Sequence, residues 1–312
     1  MDKITPYLHT LPYTQAPLSV QINITNRCYS KCVMCAKWRD WPKEDLLSTE
    51  KLLDLFKTFN IMGVQSVVLS GGEPFAREDL FEIIKSKEKL KIGVLTSGLW
   101  NSKLKANAIN IIEKLDLIHF SLDSIRPQTY NLIRGTKGNA CREVKNNIIW
   151  VNGLIKAGLS RAQIKVNIVK QKLNANEIND IINFCETHKV SYRISPVHTF
   201  DELKTESTPH VLPKRCIVPF FHCVIDADGE VFFCCHLLND NDYYSKRNTQ
   251  LSIGNVLNED FDKIWYGEKA KDMRKTLMNY RFPECSQCDN RYIHINQAYE
   301  EYLQKLSEPV FL

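Results

Sequence analysis

The sequence predicts an α/β protein whose parallel sheet forms an open, partial (β/α)6 TIM-like barrel, followed by a small α+β domain. The barrel prediction rests on the alternation of strand-like runs with helical stretches over residues 19–195, and on the count of six such units. Strands that alternate with helices form a parallel sheet with the helices outside. Six units are too few to close an eight-unit barrel, so the sheet should stay open. The second domain is predicted because the pattern changes after residue 196.

Six apolar runs supply the predicted strands. The helical stretches between them include TEKLLDLFKTFN, for which Ser48 or Thr49 is the predicted start and Gly63 the predicted end. After an N-terminal extension of residues 1–18, these elements define a first domain of residues 19–200. The strands are predicted at SVQINIT (19–25), VQSVVLS (64–70), KIGVLTS (91–97), DLIHFSL (116–122), QIKVNIV (163–169) and VSYRIS (190–195).

The chain beyond residue 196 reads as a linker followed by a second domain. HTFDELKTESTPHVLPK (198–214) is polar and contains prolines, as linkers do. FHCVI and EVFFC then flank the tetrapeptide DADG at 226–229. This pattern predicts a hairpin, because glycine tolerates a positive φ angle at the turn. We therefore place a boundary near residue 200 and assign residues 201–312 to the second domain.

Composition and charge exclude several classes of function. Of the 312 residues, 44% are hydrophobic and 25% are charged, and no apolar run approaches the roughly 20 residues needed to cross a bilayer. The N-terminus has no apolar segment typical of a secretory signal. The net charge of +5 is spread among acidic residues, as in KSKEKLK (85–91), so no nucleic-acid-binding stripe is predicted. We expect a cytoplasmic protein that binds neither membranes nor nucleic acid.

The cysteine content is the most unusual feature of the composition. Eleven cysteines in a chain without an export signal are poorly explained by disulfides, which are rare in a reducing compartment. Their spacing instead favours a metal site or catalysis. Seven of them form groups, namely Cys28, Cys32 and Cys35, then Cys216 and Cys234, then Cys285 and Cys288, while Cys141, Cys185, Cys223 and Cys235 stand apart.

The first group, Cys28-x3-Cys32-x2-Cys35, follows directly on the first predicted strand. Three thiolates on one short loop can surround one face of an iron–sulfur cube. A fully ligated cube takes four cysteines, so one iron would stay open for a substrate or a cofactor. Zinc is the rival interpretation, but structural zinc usually has a fourth ligand nearby and paired spacing.

This cysteine spacing resembles the signature of the radical SAM enzymes, and the resemblance extends over residues 19–195. It implies that the three cysteines hold a catalytic [4Fe-4S] cluster whose open iron binds S-adenosylmethionine. The residue before the third cysteine is usually aromatic in this family, whereas here it is Met34. Methionine is apolar and adaptable enough to cover the edge of the adenine.

The resemblance also implies which residues bind S-adenosylmethionine. The Gly-Gly-Glu segment at 71–73 is similar to the motif whose backbone and glutamate hold the amino group of the methionine portion. Arg134 resembles the arginine that pairs with the cofactor's carboxylate, a task that suits a guanidinium fork; an exposed surface arginine is the alternative. The implied cofactor-binding residues are Gly71, Gly72, Glu73, Ser97, Ser121, Asp123, Arg134 and Asn167.

The cysteines of the second domain resemble the auxiliary-cluster extension called the SPASM or twitch domain. The similarity rests on Cys216, on the Gly-x4-Cys segment that ends at Cys234, and on Cys285-x2-Cys288 after a long gap. The full SPASM form has further cysteines and two auxiliary clusters, whereas this chain has none after Cys288. The resemblance therefore implies one auxiliary [4Fe-4S] cluster, closed by four cysteines and suited to electron transfer. A zinc ribbon built from the same thiols is the alternative.

Two of the remaining cysteines carry alternatives of their own. Cys235 could replace Cys234 as a ligand, and since neighbouring side chains on a strand point to opposite faces, only one of the two should reach the cluster. Cys223 or Cys235 could also give a hydrogen atom to a substrate radical, which would make the enzyme an epimerase. A structural role is the simpler interpretation for each of them.

The resemblance implies reductive cleavage of S-adenosylmethionine to a 5′-deoxyadenosyl radical, which takes a hydrogen atom from a substrate. A flavodoxin- or ferredoxin-type protein would donate the electron. An auxiliary cluster can accept a further electron, so we expect a radical SAM oxidoreductase that carries out a two-electron oxidation of a carbohydrate-like or peptide substrate. Redox-neutral epimerisation is the second hypothesis, and a non-enzymatic zinc or iron–sulfur binding module is the third.

Overall fold

The computed structural model describes residues 15–100, 108–197, 201–205, 214–239, 242–288 and 290–307. The strands in these residues are β1 (Ser19–Thr25), β2 (Ser66–Gly71), β3 (Lys91–Thr96), β4 (Leu117–Ser121), β5 (Gln163–Lys170), β6 (Ser191–Pro196), β7 (His222–Ile225), β8 (Glu230–Phe232) and β9 (Gly254–Asn255). All of them join one sheet in the order β6-β5-β4-β3-β2-β1-β7-β8-β9.

Seven neighbouring strands of this sheet, from β6 to β7, are parallel to one another. Strands β8 and β9 continue the sheet in antiparallel pairs. The structure thus confirms the predicted α/β class, and each of the six predicted strands is present within two residues of its expected bounds. The described strands show an open sheet, as expected for a partial barrel.

Helices alternate with the strands in the first half of the chain and make up much of the second half. Helix α1 begins after Ser48, whose hydroxyl accepts the Lys51 N–H at 3.2 Å, and ends at Gly63 in the left-handed conformation. Both ends were predicted from the sequence. The described helices are α1 (Thr49–Met62), α2 (Leu80–Lys85), α3 (Pro127–Arg134), α4 (Ala140–Lys156), α5 (Ile178–Thr187), α6 (Cys235–Leu238), α7 (Phe261–Tyr266), α8 (Glu268–Asn279) and α9 (Asn290–Ser307).

Strand β7 joins the two halves of the chain in one sheet. It pairs in parallel with β1, so that Val20 lies beside Cys223 and Ile22 beside Ile225. Buried residues from both halves form one hydrophobic core, and the rings of Phe59 in α1 and Phe261 in α7 meet edge-on at 4.9 Å. The second half is therefore packed onto the first through a shared sheet and a shared core.

The predicted hairpin at 226–229 is present, since β7 and β8 are antiparallel and the Gly229 N–H donates to the Asp226 carbonyl at 2.9 Å. The assumption that Cys234 and Cys235 lie together on its second strand is wrong. Strand β8 ends at Phe232, and helix α6 begins at Cys235. No helix among the described residues is long and apolar enough to cross a membrane.

Candidate functional site

The three cysteines of the first group lie on the segment of residues 26–37 that leaves β1 at the carboxyl edge of the parallel sheet, here called the cysteine loop. The end of α3 holds this loop in place: the Lys31 N–H donates to the Arg134 carbonyl at 3.0 Å, and the Val33 N–H donates to the Ile133 carbonyl at 2.9 Å. The last carbonyls of a helix have no partner within the helix. Here they anchor the cysteine loop instead.

Gly135, which follows α3, allows this close contact. Its φ angle is +60°, and a Cβ atom built on it would lie 2.3 Å from the Lys31 carbonyl oxygen. An L-residue would therefore be strained by its φ angle and would also collide with the backbone of the cysteine loop. The sequence motif placed Arg134 in the site, but the reason for the glycine beside it appears only in the structure.

The Gly-Gly-Glu turn after β2 supports the start of the cysteine loop. The Gly72 N–H donates to the Thr25 carbonyl at 2.6 Å, and the Glu73 N–H donates to the Arg27 carbonyl at 2.8 Å. A Cβ atom on Gly71 would lie 2.2 Å from the Thr25 oxygen, and one on Gly72 would lie 2.2 Å from the Arg27 oxygen. Because the two glycines have no Cβ atom, the backbone of the turn after β2 packs directly against the backbone at the start of the cysteine loop.

The carboxylate of Glu73 is buried and accepts four hydrogen bonds from the chain. Its Oε1 accepts the Thr96 hydroxyl at 2.8 Å and the Phe75 N–H at 3.2 Å, while its Oε2 accepts the Ser97 N–H at 2.7 Å and the Ser97 hydroxyl at 2.5 Å. Burial raises the pKa of this carboxyl, and the hydrogen bonds from Ser97 oppose the rise. Glu73 and Ser97 therefore tie the turn after β2 to the end of β3.

Arg134 and Asp123 form a buried ion pair. Arg134 Nη1 lies 3.0 Å from Asp123 Oδ2, with side chains only 9% and 0% exposed, so the alternative of an exposed surface arginine is wrong. The Val169 N–H donates to the other carboxylate oxygen at 2.8 Å. The Nε of Arg134 is buried and has no hydrogen-bond partner among the described residues. Asp123 thus holds one edge of the Arg134 guanidinium, and Nε remains available as a hydrogen-bond donor.

Further unpartnered polar atoms lie on residues at the carboxyl edge of the sheet. Ser121 and Asn167 are register partners at the ends of β4 and β5, which brings these two predicted residues together. Buried polar atoms are almost always hydrogen-bonded, and ligands of parallel sheets bind at the carboxyl ends of the strands. The residues present therefore fit a polar ligand such as S-adenosylmethionine. The buried atoms without a partner in the described chain include Asn26 Oδ1, Ser30 Oγ, Asn167 Oδ1 and Gln171 Oε1.

Burial also affects the thiols of the cysteine loop. It raises the pKa of Cys28 to about 11 and that of Cys32 to about 12. Iron–sulfur clusters bind thiolates, so cluster assembly must release these protons. The charge of the iron would compensate for the low polarity around the sulfur atoms.

A second candidate site is a cavity between the end of β8, α8 and α9. All four predicted auxiliary ligands, Cys216, Cys234, Cys285 and Cys288, line it, whereas Cys235 is not among the lining residues in the described chain. Burial raises the pKa of Cys216 and Cys234, and that of Cys285 to about 11. The other lining residues are Val218, Pro219, Phe233, His236, Leu237, Leu277, Arg281 and Asn296.

The four cysteines of this cavity match a zinc ion and an iron–sulfur cluster equally in number. A zinc ribbon needs four sulfur atoms about 2.3 Å from one ion. An iron–sulfur cube has an iron at each ligated corner and also takes four cysteines. Metal analysis of the protein distinguishes the two.

Cys223 lies on the opposite face of the sheet from the polar side chains at its edge. A hydrogen bond between the Ser19 and His222 side chains and one from Asn23 to Asp226 identify one face of the β1 and β7 pair. Cys223 alternates with these residues and therefore points to the other face, where it is fully buried in the hydrophobic core.

Asp226 joins the cysteine loop to the end of β7 through buried charges. Lys37 Nζ lies 3.9 Å from Asp226 Oδ1, and Arg247 Nη1 lies 3.2 Å from Asp226 Oδ2. All three side chains are at most 5% exposed. The amide of Asn23 also donates to Asp226 Oδ1 at 2.9 Å.

Replacing Asp226 with alanine should lower the free energy of unfolding by about 3–5 kcal/mol, because it removes the carboxylate that faces the buried Lys37. Arg247 keeps a second carboxylate, Asp228, at 2.6 Å. Anaerobic urea unfolding would measure this change. Asp260→Ala is the matched control, since its ion pair with Lys263 is exposed and should contribute little. Equal stability of the two variants would contradict the prediction.

Cys234→Ala should remove the auxiliary cluster and leave about four irons per chain instead of about eight, because Cys234 lines the cavity. The matched variant Cys235→Ala should keep both clusters. Iron analysis and low-temperature electron paramagnetic resonance of both reconstituted proteins would measure the difference. The opposite pattern would show that Cys235 is the ligand.

Several residues of these sites carry no recognisable signal in the sequence. Asn296 and Arg281 line the auxiliary cavity, but they lie in segments whose local pattern carries no ligand signal. Lys37 follows the cysteine motif by two positions, yet its partner Asp226 is distant in the chain. Only the pairing of β7 with β1 brings them together.

Comparisons with known proteins identify two families along the chain. The model of the radical SAM superfamily matches residues 22–185, which are 164 of the 312 residues. A model of an iron–sulfur cluster-binding domain, SPASM, matches residues 216–289. S-adenosylmethionine, a [4Fe-4S] cluster and an auxiliary iron–sulfur cluster are the cofactors that these two matches imply.

Curated relatives match part of the chain. A GTP 3′,8-cyclase of Limosilactobacillus fermentum is 31% identical over 182 residues, covering 56% of this chain and 52% of the relative. A probable GTP 3′,8-cyclase of Methanothermobacter marburgensis is 28% identical over 211 residues, covering 67% of this chain and 63% of the relative. The chain thus matches less than two thirds of the length of either protein.

Solved structures show the same fold. Streptococcus suis SuiB bound to S-adenosylmethionine has a TM-score of 0.67 at 15% identity, covering 87% of this chain and 71% of SuiB. The structure of anSMEcpe with bound AdoMet has a TM-score of 0.59 at 15% identity, covering 87% and 86%. The cysteine loop, the fold and the family match lead to one conclusion: the chain belongs to the radical SAM superfamily and carries a C-terminal SPASM iron–sulfur cluster-binding domain.

Proposed function

We propose that the protein is a radical SAM oxidoreductase that removes a hydrogen atom from a small-molecule or peptide substrate and completes a two-electron oxidation. When bound, the first cluster and S-adenosylmethionine would supply a 5′-deoxyadenosyl radical at the carboxyl edge of the sheet. The observation that carries this proposal is the convergence of the cysteine loop, the buried Arg134 and the unpartnered polar atoms at that edge.

The first part of the proposed site binds and orients S-adenosylmethionine. Cys28, Cys32 and Cys35 would hold three corners of the cluster. Asp123 fixes the guanidinium of Arg134 through Nη1, which leaves the unpartnered Nε to donate toward the carboxylate of the methionine portion. Gly71, Gly72, Glu73, Ser97, Ser121 and Asn167 complete the proposed cofactor-binding set.

The second part would accept an electron. Four cysteines around one cavity would close the coordination of an auxiliary cluster, which would suit it to electron transfer rather than to substrate binding. When bound, that cluster would offer an acceptor for the second electron of a net oxidation, and the accompanying proton would go to solvent or to the protein. A flavodoxin- or ferredoxin-type protein is the proposed donor for the first cluster.

A cyclisation like that named for the GTP 3′,8-cyclases is a second candidate. The sequence identity of 31% over 182 residues favours it, although the match covers only about half of that relative. GTP should therefore be the first compound tested as a substrate. Its consumption together with 5′-deoxyadenosine formation would favour cyclisation over the proposed oxidation.

Epimerisation with Cys223 or Cys235 as hydrogen donor is the remaining alternative. The position of Cys223 on the core face of the sheet does not favour it. Once a substrate is identified, the reaction in deuterated water decides the matter. Deuterium in the product that is lost when both cysteines become alanine would support the epimerase, and its absence from the product would support the oxidation.

The decisive experiment combines two measurements on one preparation. The protein is reconstituted anaerobically with iron and sulfide, then treated with dithionite and S-adenosylmethionine. We expect 5′-deoxyadenosine and about eight irons per chain, the content of two four-iron cubes. No nucleoside, with zinc present instead of iron, would mean that the cysteines are structural and would overturn the proposal.

A further inference from the structure

We infer that Asn296 on α9 is a positioning residue for the auxiliary cluster, whose amide donates a hydrogen bond to the Cys216 sulfur and raises the reduction potential of the cluster. The inference rests on the proposed function, because it takes Cys216 as a ligand of that cluster. It adds a determinant of electron transfer that lies outside the cysteine motifs.

The geometry of the amide carries the inference. Asn296 is 2% exposed, and its Nδ2 lies 3.7 Å from Cys216 Sγ. Its Oδ1 accepts the Ile217 N–H at 2.8 Å. An asparagine amide has one accepting end and one donating end. Since a backbone donor occupies the oxygen, the NH2 group must face the sulfur, and a reversed amide would lose both contacts.

Cys216 is also held from a second direction. Its own N–H donates to the Leu277 carbonyl of α8 at 3.0 Å. Helix α8 therefore fixes the backbone of Cys216, while Asn296 of α9 fixes Ile217 and contacts the Cys216 sulfur. Asn296 thus influences both the position of Cys216 and the electrostatic environment of its sulfur.

The negative charge that reduction adds to the cluster determines the direction in which the hydrogen bond shifts its potential. Reduction adds an electron to the cluster, and a hydrogen bond to a ligand sulfur stabilises the more negative state. Arg281 lines the same cavity and adds positive charge near the cluster. Both residues should therefore favour the reduced form, as an electron acceptor requires.

Two substitutions separate the hydrogen bond to sulfur from the support of the backbone. Asn296→Asp keeps an oxygen for the Ile217 N–H but removes the NH2 donor and adds negative charge. Asn296→Leu removes both contacts at similar size. Gln297→Leu is the matched control, because Gln297 is the next residue of the same helix and is exposed.

The midpoint potential of the auxiliary cluster is measured by redox titration followed by electron paramagnetic resonance. Each variant is combined with Cys32→Ala, so that the auxiliary cluster is observed alone. We expect iron content to stay at the parent level, and the potential to become more negative in both Asn296 variants and to stay unchanged in Gln297→Leu.

Other outcomes identify which statement fails. An unchanged potential in Asn296→Asp with full iron would overturn the inference. Loss of the cluster from both Asn296 variants would also overturn it, because Asn296 would then be needed for assembly instead of for the potential. Absence of an auxiliary cluster from the parent protein would instead overturn the ligand assignment in the proposed function.

Discussion

Replacing Cys32 with alanine should abolish the cleavage of S-adenosylmethionine while the chain still folds and keeps roughly half of its iron. Cys32 is the middle one of the three proposed ligands in the cysteine loop and is buried, so the two remaining thiols would hold the cube on one side only. The proposed auxiliary cluster would occupy a separate cavity lined by four other cysteines and should stay intact. Iron analysis and 5′-deoxyadenosine formation in the same anaerobic preparation would measure both effects.

Cys185→Ala is the control for this substitution. Cys185 is fully buried in the core, on helix α5 and outside both candidate cluster sites. This variant should keep about eight irons and the activity of the parent. Full iron retention in Cys32→Ala would contradict the existence of two independent clusters, and loss of activity in Cys185→Ala would show that removal of a buried thiol alone disturbs the enzyme.

The local elements were predictable because local patterns determine them. Strand β1 spans Ser19–Thr25, as predicted, and α1 has the predicted ends at Ser48 and Gly63. Alternating apolar runs, a capping hydroxyl and a terminal glycine each act over a few residues. The cysteine spacing was equally local, and it located both candidate clusters.

The contacts between distant segments were not predictable in this way. Asp123 and Arg134 were each predicted to bind the cofactor, but the ion pair between them was not predicted. Asn296 reaches Cys216 across 80 positions of the chain. Cys234 and Cys235 were placed on a strand because the apolar run EVFFC continues to them, but the strand ends where α6 begins. Tertiary packing determines such contacts, and the periodicity of the sequence carries no information about them.

The pairing of β7 with β1 has a consequence for how the two halves cooperate. It places the start of the second half beside the strand that leads into the cysteine loop. Lys37 and Asp226 connect these neighbours through buried charge. A displacement of the cysteine loop would therefore strain the second half as well, so the position of the loop is the central structural requirement of the site.

Gly135→Ala adds one carbon atom and tests whether the site depends on the position of the cysteine loop. The new Cβ would lie 2.3 Å from the Lys31 carbonyl oxygen, so the backbone of the cysteine loop must move by about an ångström, a misplacement that costs on the order of a hundredfold in rate. We expect loss of most iron from the first cluster, retention of the auxiliary cluster, and a fall of about a hundredfold in 5′-deoxyadenosine formation.

Gly138→Ala separates this collision from the cost of the backbone angle. Gly138 has a φ angle of +61°, nearly that of Gly135 at +60°, but a Cβ atom there would meet nothing within 4 Å. Both variants should lose about 1–2 kcal/mol of stability from the left-handed conformation, and only Gly135→Ala should lose the first cluster. If both variants retained full iron and activity, the cysteine loop would not need the close contact with α3. The difference between the two variants therefore measures how strongly the end of helix α3 controls the geometry of the three cysteines.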